Sequence, residues 1–150
     1  MNRWKPRVLR YSRGVTLIEL MIVVVVIAIL ASISVTSYRR YMLRANRTDA
    51  MTTLLQIQVA QEKFFLQNNR YATEAEITAA PPGGLGIALG TGNTTLGGFY
   101  VISFLDATDT TYTARAAATG GQAEDIAACQ TFSINHQGTK TPAASDGCWR

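Results

Sequence analysis

The chain has 150 residues, 47% of them hydrophobic, with 14 Lys+Arg against 10 Asp+Glu and two cysteines. That length supports one domain plus an appended element and excludes two full hydrophobic cores. The formal charge of +4 points toward nucleic acid or an acidic membrane surface, but five basic residues (Arg3, Lys5, Arg7, Arg10, Arg13) precede Gly14, and the remainder carries 9 Lys+Arg against 10 Asp+Glu, a net of −1.

Residues 1–14, MNRWKPRVLRYSRG, are basic, contain Pro6 and have no apolar core. Residues 15–37 follow as an apolar run whose single charge is Glu19, long enough to cross a bilayer core of about 30 Å with some tilt. A secretory signal with a small-residue site near Ser32 and Ser34 and a plain membrane anchor both account for the apolarity. Neither accounts for Glu19, since a carboxylate within such a helix costs about 2.5–3.5 kcal/mol on insertion scales and usually marks function. Basic residues flank the run on both sides, so the positive-inside rule favours a cytoplasmic N-terminus only weakly.

Arg13-Gly14 followed by Val15-Thr16-Leu17-Ile18-Glu19-Leu20 resembles the prepilin cleavage site of type IV pilins and pseudopilins. The resemblance implies that a prepilin peptidase cuts after Gly14 and that the new N-terminus, Val15, is methylated. It also implies that Glu19, fifth from the cut, pairs with the amine of a neighbouring pilin subunit as helices stack. Such an amine titrates near about 8, so it is cationic at neutral pH. The partners implied are other pilin subunits, the peptidase and the pilus assembly platform. The location implied is the inner membrane as a single-pass precursor with a periplasmic head, then a cell-surface pilus. Two departures stand out. Val15 replaces the usual phenylalanine, and Ala28 and Thr36 stand where the family often carries a glycine and a proline. Neither is a strong helix breaker, so the helix is expected to be straighter, with Ser32, Ser34 and Ser37 able to bond backbone carbonyls.

The helical pattern continues from Tyr38 to Asn68 without Pro or Gly, with Ala50, Leu54, Ile57 and Phe64 recurring on one face and Met51, Leu55 and Phe65 widening it. Asn68-Asn69 resembles a helix end. One helix over 15–68 spans about 80 Å at 1.5 Å per residue. Arg39, Arg40, Arg44 and Arg47 are expected to meet lipid headgroups or carboxylates of adjacent subunits; a nucleic-acid patch is the alternative. Residues 70–98, with Pro81-Pro82-Gly83-Gly84, read as a loop containing a short helical turn over 73–78.

Strands are expected over 99–105, 112–117 and 131–135, the first two joined through the turn-forming 106–109 and the third followed by a turn at 137–140. One face of this sheet should cover the Leu54, Ile57 and Phe64 stripe. Cys129 and Cys148 lack CxxC spacing or a histidine pair, which disfavours zinc. A disulfide is the preferred use over two free thiols, at about 3 kcal/mol for a loop of about 20 residues. The tail, CQTFSINHQGTKTPAASDGCW, resembles the C-terminal signature of PilE-like minor pilins. Trp149 is expected to pack against the bridge or the helix, and His136 to sit at a surface turn. The triplets at Asn46 and Asn93 match the glycosylation pattern, with no assignment made.

The fold expected is therefore α+β: residues 1–14 as a removed leader, 15–37 as a membrane and filament-core helix, and 38–150 as amphipathic helix and pilin head. No cofactor, metal site or catalytic constellation is recognisable. The function expected is a structural subunit of a type IV pilus, most like a minor pilin in assembly or initiation. A type II secretion pseudopilin and a filament-borne adhesin or DNA-uptake subunit are the alternatives; nucleic acid gains no support from the net charge of 15–150.

Overall fold

The computed structural model describes residues 14–149, so the basic leader before Gly14 lies outside the described residues. Helix α1 runs from Leu17 to Asn68, 52 residues, two residues later than the apolar run begins. Thr16 is the reason: its hydroxyl accepts from the Glu19 backbone N–H at 3.3 Å, satisfying one of the donors that a helix start leaves open. The helix is continuous through Ala28 and Thr36. Ser32 donates to the Ile29 carbonyl at 2.8 Å and Thr36 to the Ser32 carbonyl at 3.3 Å, so the hydroxyls are absorbed by the helix itself. Asn69 ends it with a left-handed φ of 53°, its N–H bonded to the Phe65 carbonyl at 2.8 Å.

The chain divides after Tyr38 into two units. In the first, the large apolar side chains, from Val15 and Leu17 to Val35, are exposed. In the second, α1 buries Arg47, Ala50, Thr53, Leu54, Ile57, Gln61 and Phe64, residues three or four apart on one face.

Four antiparallel strands follow, in sheet order β1 (Tyr100–Phe104), β2 (Thr113–Ala118), β3 (Thr131–Asn135) and β4 (Lys140–Thr141). Three lie where the alternating pattern puts them. The fourth was not expected: residues 137–140 read as a turn, but only 137–139 turn, and Lys140 and Thr141 pair with Ile134 and Ser133. Two residues are too short for a period-2 signal to register. Tyr100, Ile102, Ala114, Ala116, Phe132 and Ile134 face inward and join the Ala50, Leu54, Ile57 and Phe64 stripe in one core.

The glycine- and proline-rich connector contains the expected turn, a 3-10 element at Glu74–Glu76, but it is not a free loop. Leu85, Gly86 and Ile87 donate backbone bonds to Glu76, Ala79 and Ile77, and Ile77, Leu85 and Ile87 are buried. Gly84 permits this pairing, because a Cβ there would sit 2.4 Å from the Glu76 carbonyl. Glu76 receives two bonds from Arg70, at 2.6 and 2.9 Å, and the Thr73 N–H at 2.8 Å. Those donors lower its carboxyl to about 2, the Arg70 bonds contributing most.

Candidate functional site

Two places in the molecule carry unusual chemistry, one in each unit. The first is the start of α1. Gly14 and Val15 are exposed and precede the helix, and Glu19 lies in its first turn, where the backbone dipole favours negative charge. Thr16-Leu17-Ile18-Glu19 has the spacing of a capping box, yet only its threonine half is made. Among the described residues the Glu19 carboxylate makes no hydrogen bond or ion pair. The next charged residue along the helix is Arg39. An exposed apolar helix surface of this extent needs lipid or other helices around it.

The second place is in the head, where α1 meets residues 120–129. Arg47 lies three residues before Ala50 and seven before Leu54, in phase with the buried stripe, and is only 8% exposed. A cation there requires a partner. Asp125 supplies it through two bonds, Nε to Oδ2 at 2.7 Å and Nη2 to Oδ1 at 2.6 Å. Burial opposes ionisation of Asp125, but the Arg47 bonds and the Ile126 N–H outweigh it and hold the carboxyl below its ordinary range. The same bonds push Arg47 up. Gln122 extends the network: its amide donates to the Leu43 carbonyl at 2.9 Å and the Tyr100 hydroxyl at 3.0 Å, and its oxygen accepts from Asn46 at 3.1 Å. Burial pushes the Tyr100 hydroxyl up to about 12, so it stays a neutral phenol.

This network clamps 120–129 onto α1, and Cys129 is bridged to Cys148 with a Cα–Cα distance of 5.4 Å. Trp149 packs edge-on against Phe132 of β3 with centroids 5.4 Å apart, carries Lys140 over its ring and lies against the core cluster that contains both cysteines. His136 donates its N–H to the Tyr112 carbonyl just past β3. The triplets are poorly disposed for modification, since Asn46 is bonded to Gln122 and Thr95 is buried.

The arginine cluster therefore has two fates. Arg47 and Arg39 bond Asp125 and Glu124 of their own chain; for the buried Arg47 this takes the place of the expected lipid or adjacent-subunit partner. Arg40 and Arg44 bond nothing among the described residues; they line a cavity of about 560 Å³ with Leu43, Asp125 and Ile126 as neighbours. Sequence reasoning missed Asp125 and Gln122 as partners of the helix. The available signal was a cation in phase with the apolar stripe.

Comparison with known proteins places both ends of α1. The family described as prokaryotic N-terminal methylation motif matches residues 9–35. The family described as type IV minor pilin ComP, DNA uptake sequence receptor, matches residues 36–133, where the tail had suggested PilE-like minor pilins. The type IV major pilin protein PilA of Myxococcus xanthus is 41% identical over 85 residues, 56% of this chain and 37% of that protein. The type II secretion system core protein G of Pectobacterium carotovorum is 35% identical over 69 residues, 45% of this chain and 44% of that one. The chain thus spans less than half the length of these relatives. A solved type IV pilin from Shewanella oneidensis superposes with a TM-score of 0.50 at 21% identity, covering 72% of this chain and 98% of that one, a likeness of fold.

Proposed function

The chain belongs to the type IV minor pilin ComP family, and from that premise we propose that it is a structural subunit of a type IV pilus, made as a membrane-held precursor and cut after Gly14. The observation that carries the reading is the methylation motif over 9–35, which runs into a helix that leaves Glu19 without a bonded partner among the described residues and its apolar side chains uncovered. Cleavage removes five positive charges and creates the amine of Val15, which is then methylated and stays cationic. Glu19 of one subunit meets that amine on the next, and the cost of holding each charge among apolar helices falls when they pair. Before assembly, 15–37 crosses the inner membrane once with the head in the periplasm; afterwards the same surface is covered by neighbouring helices in a cell-surface filament. Prepilin peptidase, sibling pilins and the assembly platform are the partners of this cycle. Deleting the gene and measuring piliation, twitching and protein secretion separately tests it: loss of piliation or twitching is expected, and a secretion defect alone would make the chain a pseudopilin.

The ComP description favours a second reading, reception of DNA. Electrostatics support it little: residues 15–150 carry a net −1, and Arg39 and Arg47 are occupied by acids of the same chain. Binding by the purified protein that weakens steeply with salt would favour it.

A further inference from the structure

The cavity beside Arg40 and Arg44 is not used by the assembly chemistry above. Its charge is uneven. Of the groups lining it, Arg47 and Asp125 neutralise each other, and Glu124 is engaged by Arg39, which stands outside the lining. Arg40 and Arg44, one helical turn apart on α1, remain without partners among the described residues and face the same space. Ile126, 60% exposed, and Leu43 supply apolar wall beside them. The Arg47–Asp125 pair and Cys148 of the disulfide also border it. Arg40 also comes three residues after Ser37, where the apolar run ends.

We infer that this cavity holds the phosphate headgroup of an anionic phospholipid while the subunit waits in the membrane. Two guanidiniums offer planar pairs of donors suited to phosphate oxygens, and the apolar wall suits the glycerol and upper acyl carbons. Arg40 follows the apolar run so closely in sequence that the phosphodiester nearest to it is that of the lipid leaflet around the run, the source to which the proposal commits. The bound lipid sets the depth of the precursor and keeps the two arginines from salt-bridging elsewhere until a neighbouring subunit displaces it.

The inference rests on the membrane-held precursor, so the experiment reads the two separately. The full chain purified from membranes is reconstituted into phosphatidylcholine vesicles with and without phosphatidylglycerol. Co-flotation with phosphatidylcholine alone reports insertion of 15–37; native mass spectrometry of lipids retained after transfer to detergent reports the cavity. Wild type should insert in both and retain phosphatidylglycerol over phosphatidylcholine. The double variant Arg40→Gln/Arg44→Gln should insert equally and lose that preference by about tenfold. Lys63→Gln/Arg115→Gln, the same loss of two positive charges at residues outside the cavity lining, should keep it, and Arg40→Lys/Arg44→Lys should recover part of it. The proposal is overturned by equal loss in Lys63→Gln/Arg115→Gln, by retention without headgroup preference, or by full displacement with inorganic phosphate, which would make this a site for a free anion. Failure to float would instead overturn the membrane reading.

Discussion

The two halves of α1 are one helix with opposite designs. From Leu17 to Tyr38 nothing is buried, the side chains are mostly apolar on every face, and the one charge, Glu19, has no bonded partner among the described residues. From Arg39 to Asn68 one face is buried to a few per cent, and even the buried cation on that face, Arg47, is paired with Asp125 of the same chain. The head half is finished by its own sequence. The N-terminal half is unfinished until lipid or other helices surround it, so its residues act between molecules.

Substitutions in the two halves should therefore separate assembly from stability. Glu19→Ala should give the largest effect: the precursor still inserts and is cut, but incorporation into filaments is lost, while thermal unfolding of the head is unchanged. Normal incorporation, scored by immunoblot of sheared filaments, would break the pairing. Asp125→Ala leaves Arg47 buried without its partner and should cost the head about 3–5 kcal/mol, seen in chemical denaturation of the full chain in detergent. Leu54→Ala, in the core, should cost about 2–5 kcal/mol, whereas Val24→Ala in the exposed half should leave head unfolding unaltered. Equal losses from both would mean that the apolar half shares the core.

The smallest effect is in acid. Glu76 titrates lower in the folded head than in the unfolded chain, so its bonds to Arg70 and Thr73 stabilise the head fully above about pH 4.5 and are lost as pH falls through about 2. The pair is partly exposed, its side chains 37% and 23% accessible, so solvent screening keeps its contribution small. Glu76→Gln should flatten that part of the profile of thermal midpoint against pH. Asp125, also lowered, contributes with the same sign and should leave a residual slope.

What could be read from residues alone follows the same division. Periodicity exposes long elements facing one environment. Leu54, Ile57 and Phe64 on α1 marked the core correctly, and the strands read over 99–105 and 131–135 supply Tyr100, Ile102, Phe132 and Ile134 to it. The motif ending in Glu19 was legible because its residues are contiguous. Partnerships across 75 or more residues were not: Arg47 finds Asp125 78 positions on, and Asn46 finds Gln122 76 on. Such distances leave no local pattern, only the oddity of a cation in an apolar stripe. The connector misled for a related reason. Its Gly and Pro read as loop, yet Gly84 is small so that backbone can approach backbone closely.

The central claim, that a cut after Gly14 makes the amine Glu19 pairs with, is tested most directly by the mass and N-terminal sequence of the protein taken from cells. A chain beginning at methylated Val15 is predicted. A chain beginning beyond Ser34, as an ordinary secreted protein would, contradicts it.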